Sequence, residues 1–199
     1  MLFVLALAGC ASLATTNLTP PQRDGLARAE AFIQRAGRAY DRRPIPVRVR
    51  YLPPPIGATY EGSEISISQL YVARIDDALL AHEAGHWLLG HRPARWRWFT
   101  SAEVIAATQA DMELEANHLS VEILARVQAI SEAEALRVVY DRLLKIHHGE
   151  LAYGLIRDGR GVHGRYPACR EIQDLIARFP QQRGWTTGLV CADGSSPKP

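Results

Sequence analysis

The sequence lacks a cluster of basic residues, although its formal net charge is +2 over 199 residues. Its 23 Lys and Arg residues are scattered along the chain beside 21 Asp and Glu residues. A nucleic-acid-binding protein needs basic side chains concentrated on one face, so we predict no nucleic-acid partner. Charged residues make up 22% of the chain and hydrophobic residues 47%. This balance excludes a disordered chain and predicts one globular domain with its own core.

After residue 10 the chain also lacks the run of about 20 apolar residues that a transmembrane helix needs. A shorter apolar run covers residues 2–8, and it leads into Leu7-Ala8-Gly9-Cys10. This pattern resembles the signal sequence and lipobox of bacterial lipoproteins. The resemblance implies cleavage after residue 9, lipid on Cys10, a tether over residues 10–19, and a membrane-anchored protein of the cell envelope that faces the periplasm. The alternative is an apolar terminus with a chance cysteine.

Cysteine is scarce, with three residues at positions 10, 169 and 191. If Cys10 carries lipid, Cys169 and Cys191 remain and can form a disulfide. By the loop-entropy model, a bridge between residues 22 positions apart contributes about 3 kcal/mol. Disulfides persist in oxidising compartments such as the periplasm, which agrees with the lipobox. The alternative is two buried free thiols.

Hydrophobic periodicity and capping residues predict five helices and two strands. The predicted helices cover residues 20–40, 76–91, 100–128, 131–148 and 167–179. The predicted strands are centred on 47–51 and 65–68, and a glycine-rich loop follows at 154–165. Two helix starts have a capping-box pattern, Thr100 with Glu103 and Ser131 with Glu134. We therefore expect a single α+β domain over residues 20–199 that is mostly helical, with a small sheet.

The helix 76–91 contains the motif His82-Glu83-Ala84-Gly85-His86. Two histidines four residues apart lie on one helix face, so both imidazoles can bind one metal ion. A glutamate beside the first ligand can act as the base that deprotonates a zinc-bound water. The flanking residues are uncharged, which predicts a buried helix whose ionisable side chains need partners. The alternative is a pair of hydrogen-bonded core histidines.

A catalytic zinc usually has three protein ligands, so a third is expected elsewhere. The metzincin spacing would place a third histidine at position 92, which is Arg92. His91 is one residue off and is interpreted as a helix C-terminal residue that interacts favourably with the helix dipole.

The run Glu113-Leu114-Glu115-Ala116-Asn117 resembles the second motif of gluzincin peptidases, in which a glutamate from a following helix completes a His-His-Glu site. In HtpX-like peptidases an aspartate follows that glutamate by four residues, and ImmA/IrrE-like peptidases carry Glu-Ala-Asn in a similar run. The resemblance implies a minigluzincin-like fold with Zn²⁺ on His82, His86 and Glu113, and with Asn117 accepting a ring N–H from a ligand histidine. Glu115, about 200° away round the helix, is the alternative ligand.

Gluzincins also stabilise the oxyanion of the tetrahedral intermediate with a downstream His or Tyr. The resemblance implies that His163 or Tyr166, just before Pro167, fills this role. Such peptidases bind an extended substrate along a sheet edge, and we expect residues 63–68 to provide that edge.

These features together favour a zinc endopeptidase that cleaves peptide or protein substrates of the envelope, with Glu83 as the base. A non-catalytic zinc-binding envelope lipoprotein with a role in binding or assembly is the alternative. A cytosolic regulatory peptidase similar to the ImmA/IrrE proteins is a third possibility, and the lipobox argues against it.

Overall fold

The computed structural model describes residues 17–91, 102–156, 166–189 and 191, with side chains from residue 107 onward in the second range. The helices are α1 (Pro20–Ala39), α2 (Asp77–Leu89), α3 (Ala102–Gln128), α4 (Glu132–Tyr153) and α5 (Ala168–Ala177). The strands are β1 (Val47–Arg50), β2 (Ala58–Tyr60) and β3 (Ile65–Ser68). Short 3-10 turns cover Val72–Arg74 and Pro180–Thr186. The prediction of a mostly helical α+β fold with a small sheet is confirmed.

Polar side chains cap the helices that surround the site. The Asp76 carboxylate accepts a hydrogen bond of 2.7 Å from the Leu79 amide at the start of α2. Ser131 and Glu134 form the expected capping box at the start of α4. These caps satisfy amides that a helix cannot pair internally. The second expected capping box, at Thr100 and Glu103, lies outside the described residues.

The sheet has the order β1-β3-β2, with β3 parallel to β1 and antiparallel to β2. The prediction that residues 63–68 form the substrate-binding edge is therefore wrong, because β3 is paired on both sides. All four residues of β3 are buried. The strand that the sequence did not reveal, β2, lies at one edge of the sheet and contacts α2.

The motif helix α2 lies at the centre of the domain, where it contacts α1, α3, α4 and β2. Its residues from Leu80 to Gly85 are buried, as the uncharged flanks of the motif predicted. Gly85 faces the backbone of α3, and a Cβ atom at this position would lie 3.0 Å from the Ala116 carbonyl oxygen. The absence of a side chain therefore lets α2 and α3 approach closely, and this brings α3 side chains beside the motif.

We expect Gly85→Ala to lower the free energy of unfolding by about 1 kcal/mol, because overpacking against backbone outweighs the gain in helix propensity. The matched control is Gly149→Ala in α4, where nothing lies within 4 Å of the added Cβ. That variant is expected to gain about 1 kcal/mol. Urea unfolding of the two variants measures both changes. Equal stabilisation by the two substitutions would contradict the close contact between α2 and α3.

Cys169 and Cys191 lie at disulfide distance, with their Cα atoms 5.7 Å apart. The bridge joins the first turn of α5 to the segment after the last 3-10 turn. Residues 1–9, Cys10 and the tether up to residue 16 lie outside the described residues, and the lipid anchor stays a prediction. Within the described ranges, no helix is both long enough and apolar enough to cross a membrane.

Candidate metal centre

Two helices bring His82, His86 and Glu113 together at one end of a cavity. The ligand atoms of these three side chains all lie within 4.8 Å of one another. His82 Nε2 lies 3.0 Å from Glu113 Oε2 and 3.2 Å from His86 Nε2, and His86 Nε2 lies 3.6 Å from Glu113 Oε1. Ligand atoms about 2.0–2.1 Å from a tetrahedral zinc ion are about 3.3 Å apart, which matches these separations. The group could therefore hold a metal ion.

The chemistry of the group also fits a metal ion. Three potential donor groups converge, and two of them are imidazoles. Burial first, and the nearby His82 second, lower the pKa of His86 to about 3. His86 is therefore neutral at pH 7, as a metal-ligating imidazole must be. Two imidazoles with one carboxylate suit zinc, although ligand type alone does not fix the metal.

A buried series of hydrogen bonds orients His82 through its Nδ1 atom. Its Nδ1 lies 2.9 Å from Asn117 Oδ1, and the Asn117 amide donates to Glu171 Oε2 at 2.9 Å. Asn117 is 1% exposed and Glu171 is fully buried. An asparagine oxygen only accepts hydrogen bonds, so His82 carries its proton on Nδ1 and turns Nε2 toward the group. In the structure Asn117 therefore accepts the hydrogen bond of His82.

Sequence analysis missed Glu171, which comes from α5. The sequence pattern could have indicated a buried carboxylate here, because Glu171 falls among the buried positions Ala168, Ile172 and Leu175 of an amphipathic helix. A carboxylate in an apolar stripe needs a polar partner, and that partner is Asn117. The position of the partner, 54 residues away along the chain, is not encoded in any local pattern.

His86 is held by a different pair of residues. Its Nδ1 lies 2.8 Å from His91 Nδ1, and His91 Nε2 lies 3.0 Å from Glu115 Oε2. Glu115 is therefore placed on His91, outside the group formed by His82, His86 and Glu113. Its side chain is 59% exposed. His91, interpreted from the sequence as a dipole-compensating residue, makes a specific contact with a proposed ligand.

Glu83 lies in the same cavity, which has a volume of about 580 Å³ and is lined by residues 55–57, β2, α2, α3 and α4. The side chain is buried, and its burial raises the pKa of the carboxyl group. The charge of His82 and a hydrogen bond from the Tyr60 backbone amide act in the opposite direction and lower that pKa. Glu83 therefore combines a raised proton affinity with a fixed position beside the His-His-Glu group.

Of the two residues predicted to stabilise the oxyanion, His163 lies outside the described residues. Tyr166 donates a hydrogen bond of 3.2 Å to Asp111 Oδ1 and is not among the described residues that line the cavity. Arg142, which the sequence reading missed, does line the cavity, and its charge lowers the pKa of both Glu83 and His86. Helical spacing could have indicated this position, because Ile146, Gly149 and Tyr153 lie on the same face of α4 as Arg142 and also line the cavity.

No protein-family model, no curated protein and no solved structure matches this chain. The resemblance to gluzincins therefore rests on the two sequence motifs.

Proposed function

We propose that this chain is a zinc-dependent endopeptidase of the gluzincin type. The observation that carries the proposal is the convergence of His82, His86 and Glu113 in one cavity with the buried carboxyl group of Glu83. A purely structural zinc site has no use for a carboxyl group held beside the ligands without joining them. Catalytic zinc sites, in contrast, combine three protein ligands with an adjacent base.

In this proposal His82, His86 and Glu113 hold the zinc ion. The ion, when bound, supplies Lewis acidity that polarises a carbonyl group and lowers the pKa of water. Glu83 takes the proton of the attacking water and delivers it to the leaving amine of the cleaved peptide. A raised pKa suits this role, because a carboxylate with higher proton affinity is a stronger base. Burial and the hydrogen bond from the Tyr60 backbone restrict the orientation of this carboxyl group.

The substrate in this proposal binds along β2. The Gly57 carbonyl accepts from the Ser68 amide, and the Glu61 amide donates to the Glu64 carbonyl. Backbone N–H and C=O groups alternate in direction along a strand. Those of residue 59 therefore also point toward β3, whereas those of Ala58 and Tyr60 point away from it, to the open edge of β2. That edge lies over the cavity, and the Tyr60 amide donates to Glu83. An extended peptide paired with Ala58 would thus lie beside the base.

Arg142, His163 and Tyr166 are our candidates for stabilising the oxyanion that forms during hydrolysis. Arg142 is the candidate placed in the cavity by the described structure. A guanidinium group is always charged near neutral pH and donates two hydrogen bonds in one plane. It can therefore bind either the developing oxyanion or a carbonyl of the substrate.

We further propose that the protein works at the bacterial envelope, anchored by lipid on Cys10 and acting on envelope proteins or peptides. The lipobox-like run at residues 7–10 supports this location. The pairing of Cys169 with Cys191 also supports it, because disulfides are rare in reducing compartments.

One observation favours a second candidate, a non-catalytic zinc-binding lipoprotein with a role in binding or assembly. The Tyr166 hydroxyl is hydrogen-bonded to Asp111, so one of the predicted catalytic groups is occupied away from the cavity.

Metal removal separates the two candidates. We expect the purified chain to bind one zinc ion and to cleave casein or an extract of envelope proteins. Dialysis against a chelator should remove at least about 90% of the activity, and one equivalent of zinc should restore it, because hydrolysis depends on the ion. Cleavage that persists without metal would rule out the metallopeptidase. A chain that binds zinc and cleaves neither substrate pool would support the binding lipoprotein.

A further inference from the structure

We propose that His91 and Glu115 act as positioning residues that fix the tautomer of His86 and so leave its Nε2 available to the metal ion. The inference rests on the proposed metal site and extends it to two residues outside the His-His-Glu group. The contacts that carry it are the 2.8 Å approach of the two Nδ1 atoms and the 3.0 Å approach of His91 Nε2 to Glu115 Oε2.

The backbone at the end of α2 places His91 against His86. Gly90 has the left-handed conformation, with φ of 70°, which is accessible to glycine at low cost. The Gly90 amide donates to the Trp87 carbonyl at 3.1 Å, and the His91 amide donates to the His86 carbonyl at 2.9 Å. This pair of bonds is the Schellman motif, in which the residue after the left-handed one packs on the residue five positions earlier. An apolar contact usually fills that place, and here two imidazole rings do, with centroids 5.0 Å apart.

The direction of the hydrogen bonds follows from Glu115. An ionised carboxylate only accepts hydrogen bonds, so His91 must carry its proton on Nε2 in order to donate to it. His91 Nδ1 is then an acceptor, and the hydrogen bond at 2.8 Å requires His86 to carry its proton on Nδ1. His86 Nε2 keeps its lone pair and faces His82 and Glu113. The opposite direction would place the His86 proton on Nε2 inside the group, where it would block metal binding.

The same logic operates on the other ligand histidine. His82 donates from Nδ1 to Asn117, which donates in turn to Glu171. Each proposed ligand histidine therefore hydrogen-bonds to one residue, and that residue hydrogen-bonds in turn to a carboxylate. The geometry assigns to His91 the part that Asn117 has for His82.

The test compares zinc affinities of variants by competition with a chromophoric chelator. His91→Phe keeps a ring of similar size but has no acceptor, and we expect it to weaken zinc binding about 10-fold to 100-fold, the usual effect of losing such a partner. His91→Asn should recover most of the loss, because the Asn oxygen can occupy the place of Nδ1. The control is His148→Phe, an exposed histidine of α4, which should leave the affinity unchanged. Circular dichroism checks the fold of each variant.

Glu115→Lys tests the direction of the hydrogen bonds that link His86, His91 and Glu115. Its ammonium group only donates, so it should invert the His91 tautomer and weaken zinc binding at least about tenfold. Glu122→Lys makes the same charge change two turns further along the same face of α3 and should have a smaller effect. Long-range ¹H–¹⁵N correlation spectra of the metal-free chain report the tautomer directly. We expect the proton of His86 on Nδ1 in the wild type and a shift of population toward Nε2 in Glu115→Lys.

The proposal fails if His91→Phe binds zinc within twofold of the wild type, or if the wild-type His86 proton is found on Nε2. A chain that binds no zinc would overturn the metal site together with this proposal. A chain that binds zinc but cleaves no peptide would refute only the proposed hydrolysis, because the affinity comparison does not need catalysis.

Discussion

Glu83→Gln is expected to lower the rate of peptide cleavage by about 10³-fold while leaving zinc binding intact. The substitution keeps the size of the side chain, but an amide cannot take a proton from water, and general-base catalysis typically contributes 10²-fold to 10⁴-fold. Glu83 is not one of the three residues whose ligand atoms converge, so zinc should remain. Initial rates on casein and metal analysis of the same samples measure the two quantities.

The matched control is Glu30→Gln, the same change at an exposed position of α1, which should cleave at the wild-type rate. Glu83→Gln should also be at least as stable as the wild type at pH 7, because it replaces a buried acid whose ionisation is opposed by burial. A variant that retains more than a tenth of the wild-type rate would exclude Glu83 as the base. Loss of zinc would instead indicate that Glu83 contributes to the metal site.

Glu113→Gln is expected to weaken zinc binding by about two to three orders of magnitude. Four-ligand structural zinc sites have apparent binding free energies of about 10–16 kcal/mol, which corresponds to about 3 kcal/mol for each ligand. Gln has the shape of Glu but lacks the negative charge, and its amide oxygen is a weaker ligand for zinc. Competition with a chromophoric chelator measures the affinity, and circular dichroism verifies that α3 remains folded.

Glu115→Gln is the natural comparison, because the sequence left Glu115 open as the alternative ligand. The structure places its carboxylate on His91, and Gln can still accept a hydrogen bond there. We therefore expect a loss of affinity below about tenfold. The reverse order, with the larger loss at Glu115, would mean that the ligand assignment is wrong.

The parts of the site that follow local periodicity were predictable from the sequence. His82 and His86 are four residues apart on one helix, and Glu113 and Asn117 are four residues apart on the next. The helix assignment, which caps and breakers provided, places each pair on one helix face. The resemblance to the second gluzincin motif singled out Glu113 and Asn117. The mostly helical α+β class was predictable for the same reason, because five amphipathic or buried helices leave little chain for the sheet.

The parts that depend on tertiary contacts were not predictable. Strand β2 has three residues and follows a proline-rich turn, so it is too short to show a period. Residues 63–68 were expected to form a sheet edge, but pairing with β1 and β2 makes β3 the central strand. Glu171 and Arg142 reach the site from α5 and α4 through helix packing. No spacing within their own segments reveals which residues they face.

The two series of hydrogen bonds that support His82 and His86 end in very different surroundings. Glu171 is fully buried, whereas the side chain of Glu115 is 59% exposed. Dissolved ions screen exposed charges more than buried ones. We therefore expect added salt to weaken the contact of Glu115 with His91, and with it the support of His86, more than the support of His82.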